Sequence, residues 1–154
     1  MNHATDRSPV GIGGSYRMGF TVGEHSARHM RRILRTYLDR WGLDGLADDA
    51  ELALTELVAN VVRHVPGREC VVLILRRPEG LRVEVADPCP GLPRPSRGGD
   101  ALAEGGRGLL LVEAVTDRWG TVSIPTGKTV WFECDAKQPH PPRTTIARGG
   151  RSTR

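Results

Sequence analysis

The residues best suited to chemistry are Glu56, Asn60 and His64, in the segment ELALTELVANVVRH. A spacing of four places them in one row down a helix, each turned only ~40° from the last at 3.6 residues per turn. Asn60 lies next to Leu57 and Val61. Its amide therefore sits at the border of an apolar stripe, where a polar group needs partners. A metal ion with a phosphate would supply them, because Mg2+ takes oxygen ligands and keeps water and phosphate around it. Glu56, one turn away, could polarise a hydroxyl or water beside that phosphate. The same row also suits the polar edge of an ordinary amphipathic helix.

Two further groups carry possible chemistry. Asp87 ends the run LRVEVAD and is followed by Pro88, with Gly91 four residues on. A carboxylate there is expected to leave the strand ladder and to accept a hydrogen bond from an exocyclic amine, while Gly91 permits close approach or a positive φ. Asp-Pro and Pro-Gly are equally common turn chemistry. The second group is Gly105-Gly106-Arg107-Gly108, which leads into a short helix from about Leu109 to Thr116. Glycines before a helix N-terminus leave N–H groups open to a phosphate, and Arg107 could add a charge-assisted contact. A flexible linker would look the same. Neither the G-x-x-x-x-G-K-[ST] loop nor a strand–GxGxxG–helix unit occurs.

The elements that must position these groups are legible in the hydrophobic pattern. Tyr16, Met18, Phe20 and Val22 alternate as a strand. Ser26 can cap a helix reaching Trp41, with Met30, Ile33, Leu34, Tyr37 and Leu38 on its inner face. Its arginines Arg28, Arg31, Arg32 and Arg35 read as a solvated face or as a contact surface for an acidic partner. Gly42 and Gly45 break the chain, and a second helix spans about Leu46 to Val65. CVVLILRR and LRVEVAD form a hairpin around Pro78-Glu79-Gly80, the first strand apolar on both faces and so internal. Residues 88–106 are a long Pro/Gly loop of the kind that is functional or disordered. TVSIPTGKTVWFECD is a second hairpin, its turn set at Pro125-Thr126-Gly127-Lys128. Helices on one face of a mostly antiparallel sheet make an α+β two-layer sandwich.

Composition narrows the classes. The 154 residues suffice for one domain with its own core. No apolar run approaches the ~20 residues of a membrane helix, and the N-terminus has no hydrophobic signal segment, so a cytoplasmic protein is expected. The cysteines Cys70, Cys89 and Cys134 form no CxxC pair and are expected as free thiols. The net charge is +4, but residues 136–154 hold five basic residues and no acid. Without them 17 basic residues face 18 acidic ones, a net −1, so the folded part carries no phosphate-backbone signature and no direct nucleic-acid binding is expected. The expected layout is a flexible leader at 1–14, a folded domain at 15–135 and a disordered basic tail at 136–154.

The order of the motifs is a helix with Glu-x-x-x-Asn-x-x-x-His, a strand ending in Asp with Gly four later, a long Gly/Pro loop, then Gly-x-Gly and a helix. Over roughly residues 16 to 135 this resembles the histidine-kinase-like ATPases, the GHKL superfamily with the Bergerat fold. Within it the chain looks most like the stand-alone bacterial anti-sigma-factor serine/threonine kinases. The resemblance implies Mg2+ on Asn60 and a catalytic or water-orienting role for Glu56. It places the adenine amino group on Asp87 with Gly91 beside the ring. Gly106 and Gly108 would lie at the triphosphate, with Arg107 and Leu109 in the same nucleotide-binding motif, and residues 94–105 would form the lid. His64 matches a polar position near the nucleotide. The family pattern Asp-x-Gly-x-Gly reads Asp87-Pro88-Cys89-Pro90-Gly91 here, with Cys89 at the first glycine. The implied function is an ATP-dependent kinase that phosphorylates Ser or Thr on an anti-anti-sigma antagonist and sequesters a sigma factor, with a homodimer plausible. The alternative is a non-catalytic ATP-binding module that acts by sequestering its partner.

Overall fold

The computed structural model describes residues 14–91 and 106–137. The expected lid, most of the leader and most of the tail lie outside them. The elements are β1 (Ser15–Thr21), α1 (Ser26–Arg40), α2 (Ala47–His64), β2 (Glu69–Arg77), β3 (Gly80–Asp87), α3 (Gly106–Val115), β4 (Arg118–Ile124) and β5 (Gly127–Asp135). A single 3-10 turn, Asp44–Leu46, leads into α2. The five strands form one antiparallel sheet in the order β1-β2-β3-β5-β4. The expected α+β two-layer plan is the observed one. Among the described residues no helix is long and apolar enough to cross a membrane.

Period-two alternation decides which face of the sheet is covered. Cys70, Val72 and Ile74 of β2, Leu81, Val83 and Val85 of β3, and Val130, Phe132 and Cys134 of β5 are all buried. Against them lie Met30, Leu34 and Leu38 of α1, Ala50, Ala53, Leu54, Leu57, Val58 and Val61 of α2, and Leu109 and Val112 of α3. A side chain such as Leu34, wholly enclosed, would cost about 2–5 kcal/mol on truncation to Ala. The alanines of α2 keep its backbone close to the neighbouring layers.

Ser26 does not cap α1. The cap position is His25, without a side-chain hydrogen bond, and Ser26 is the first helical residue. Its Oγ accepts instead from the Gly23 N–H at 2.7 Å, closing the turn that delivers the chain from β1. The α1 arginines divide. Arg35 is held by Glu51 at 2.9 Å and Asp48 at 3.3 Å, and Arg31 reaches Thr55 at 3.4 Å, so both tie α1 to α2. Arg28 and Arg32 are exposed.

Candidate functional site

Helix α2 carries the central row on an otherwise apolar face. Asn60 is 8% exposed, and its Oδ1 and Nδ2 are both buried without a hydrogen-bond partner among the described residues. An unmet buried polar group costs about 1–3 kcal/mol, and here both ends of one amide bear that cost. Glu56, one turn earlier, is half-buried against α3. A Cβ added to Gly108 would stand 2.7 Å from Glu56 Oε2 and 3.6 Å from its Cβ. Only the absence of a side chain at 108 lets the carboxylate lie against the first turn of α3. His64 closes α2 with its side chain exposed.

Helix α3 begins at Gly106, three residues before the expected start at Leu109. Gly106, Arg107 and Gly108 are therefore the first helical turn, and their N–H groups are among the donors that an α-helix leaves without internal partners. Two glycines are poor helix formers, so packing must compensate. It does so through Leu109 and Val112, both wholly enclosed in the core. Leu109 can thus meet a ligand through its backbone alone. Arg107 is exposed.

The second cluster closes one end of the sheet. Asp87 does not leave the ladder as expected. It is the last residue of β3, paired with Lys128 of β5 and 7% exposed. It shares the parity of Leu81, Val83 and Val85, so its carboxylate faces the helix layer. Its Oδ1 accepts the Cys89 N–H at 2.8 Å and the Lys128 Nζ at 3.1 Å. Lys128 also donates to the Cys89 carbonyl at 3.2 Å. Gly127, at φ +150°, makes this closure possible, because a Cβ there would fall 1.9 Å from the Asp87 carbonyl oxygen. Gly91 has φ +105° and open space around it, so the positive φ expected of it is observed.

Lys128 is the site residue that sequence reading missed. It was assigned to a turn, and the structure corrects this: the turn is Pro125-Thr126, and Lys128 is a strand residue, 7% exposed. The available signal was compositional, since Lys128 is one of two lysines in a chain with 20 arginines.

The three thiols are free, as expected. Burial pushes Cys70 and Cys134 up to about 12, with the nearby Asp87 charge adding to Cys70. Cys89 is half-buried beside Asp87. The structure thus assembles two groups. Glu56, Asn60 and the Gly106–Gly108 turn belong to the helix layer. Asp87, Lys128, Cys89 and Gly127 belong to the sheet layer, with both buried acceptor groups turned toward the interior between the layers.

A family model described as a histidine kinase-like ATPase domain matches residues 21–134. No curated protein matches the chain. Among solved structures, the chain is similar to the RsbU and RsbW domains of Rv1364c from Mycobacterium tuberculosis, at 22% identity and a TM-score of 0.59. That likeness covers 80% of this chain and 33% of the other, so this chain spans about a third of its length, and the similarity is one of fold.

Proposed function

Because the chain belongs to the histidine kinase-like ATPase domain family, we propose that it binds Mg2+ and ATP between α2, the first turn of α3 and the Asp87 end of the sheet. We further propose that it transfers the γ-phosphoryl group to a Ser or Thr of a small antagonist protein and otherwise holds a sigma factor inactive. The observation that carries this reading is the Asn60 amide, buried with both polar atoms unmet among the described residues. A protein interior does not keep such a group without cost, and a nucleotide with its metal would satisfy it.

The donor set fits a magnesium ion. Among the described residues no three His, Cys, Asp or Glu side chains gather as a metal site. An ion that takes one protein oxygen and completes its shell with phosphate and water is the kind this site suits. Asn60 Oδ1 would hold it. When bound, the ion would neutralise charge on the phosphates.

The other residues follow from their positions. The N–H groups of Gly106, Arg107 and Gly108 face outward from a helix start and favour an anion. Glu56 lies against that turn, where it can orient and accept the proton of an attacking hydroxyl. Asp87 would take the adenine amino group and Gly91 would flank the ring. Phosphorylating the antagonist would add a charge of about −2 and break its complex with the regulator. Arg28 and Arg32, both exposed on α1, are the candidate docking contacts for an acidic partner surface.

One observation favours a second reading, a module that binds ATP without turning it over. The Pro88-Cys89-Pro90 segment leaves Cys89 where the family has glycine, and Lys128 already engages Asp87. Radiolabelled ATP with purified protein and candidate antagonists separates the two. Label transfer that disappears in Glu56→Ala supports the kinase. Tight ATP binding without transfer to any antagonist supports the module.

A further inference from the structure

Lys128 sits at the base end of the proposed ATP site, and its hydrogen bonding is unfinished. A lysine ammonium has three protons to donate. One goes to Asp87 Oδ1 and one to the Cys89 carbonyl. The third meets no acceptor among the described residues. Asp87 is unfinished in the complementary sense. Its Oδ1 takes both the Cys89 N–H and the Lys128 Nζ, whereas Oδ2 takes no donor among them. The Asp87 side chain is 4% exposed and shares the helix-facing parity of Val83 and Val85, so Oδ2 lies on the side of the sheet where the proposed nucleotide would sit.

The pair therefore presents one open acceptor beside one open donor, held rigidly by cross-strand register and by the Gly127 closure. That is the complement of an amino group next to a ring nitrogen lone pair. Adenine offers this edge as its 6-amino group and N1. An arginine could not substitute, because its planar fork would engage the carboxylate through two N–H groups and cover Oδ2 as well. A lysine stands here in a chain whose basic residues are otherwise almost all arginine.

We propose that Lys128 is a base-reading residue, donating its free N–H to adenine N1 while Asp87 Oδ2 accepts from the 6-amino group. This rests on the ATP-binding reading above. It assigns to Lys128 a role beyond neutralising a buried carboxylate, and it makes recognition of the base a two-point contact.

The test is calorimetric titration of the full chain with ATP and with 1-deaza-ATP, in which N1 is replaced by C–H. Loss of a hydrogen bond to a charged donor predicts that the wild-type protein binds 1-deaza-ATP about tenfold more weakly than ATP. Lys128→Met should bind ATP more weakly and should hold the two nucleotides within about twofold of each other. Because Lys128→Met leaves Asp87 buried and unpaired, the wild-type comparison stands whether or not that variant folds. Equal affinities in the wild type, or an undiminished preference in a folded Lys128→Met, overturn the role of Lys128 while leaving the ATP site intact. GTP bound as tightly as ATP would overturn it too. Failure of the wild type to bind any adenine nucleotide would overturn the ATP-binding reading along with it.

Discussion

Two buried polar groups on opposite faces of one sheet differ in what the protein has done with them. Glu133, on the face away from the helices, is 6% exposed and fully engaged. Arg82 reaches its Oε1 at 2.7 Å, Arg118 its Oε2 at 2.9 Å, and Arg77 completes the set. Arg82 in turn bonds Glu84 and lies 4.2 Å over the Trp131 ring. Asn60, on the helix face, has no partner among the described residues for either end of its amide. A closed network is what a fold builds for itself. An open amide in a comparable degree of burial is a cost carried for something else, and that contrast separates structural polarity from a ligand site more clearly than burial does.

Exchanging the two phenotypes is the strongest test of the contrast. Asn60→Ala should lower Mg-dependent ATP affinity by about tenfold to a hundredfold, while the nucleotide-free protein melts no lower than wild type, because the substitution removes the unmet amide. Nucleotide titration and a melting curve on the same sample check both halves, and wild-type affinity would refute the metal assignment. Glu133→Ala should do the reverse. It strands three arginines that are only partly exposed, which predicts a loss of roughly 1–3 kcal/mol in urea denaturation with nucleotide affinity unchanged.

The Glu133 network also predicts a direction with pH. Burial alone would raise the Glu133 pKa, but hydrogen bonds from Arg118, Arg82 and Arg77 outweigh it and hold the carboxyl below its ordinary 4.5. A carboxyl with a depressed folded pKa adds stability that is complete above its unfolded value and is lost as pH falls through the folded one. The stability gap between wild type and Glu133→Gln should therefore be constant above about pH 5 and shrink below about 4.5 in urea midpoints.

Smaller effects sharpen the comparison on the nucleotide side. Asp87→Asn should reduce the preference for adenine over guanine nucleotides by about tenfold in competition binding, because the amide can donate as well as accept. Unchanged selectivity would count against the adenine role. Thiol labelling at pH 8 should modify Cys89 first, since burial pushes Cys70 and Cys134 up to about 12. Saturating ATP should slow that labelling several-fold, because the Cys89 backbone belongs to the Asp87 turn.

The elements were readable because their signals are local. Alternation in LRVEVAD, the continuous apolar run of CVVLIL, and the apolar stripe of Leu54, Leu57, Val58 and Val61 are signals that span only a few neighbouring residues. Where local reading failed, packing had overridden it. Two glycines argued for a loop at 106–108, and the enclosure of Leu109 and Val112 drew them into α3. Pro125-Thr126-Gly127-Lys128 read as one turn, and the pull of Asp87 drew Lys128 into the strand.

Sequence by itself determined the row of Glu56, Asn60 and His64, because a helix fixes the direction of side chains four residues apart. It also determined the acid at the end of β3, because the period-two alternation of LRVEVAD runs up to that residue. Only the tertiary structure decided that Lys128 meets Asp87 from 41 residues away, that Glu56 rests on Gly108, and that the Asn60 amide is buried without a partner among the described residues. Those outcomes depend on strand order and register. β5 pairs with β3 and leaves β4 at the edge, and no short-range periodicity encodes which strands become neighbours.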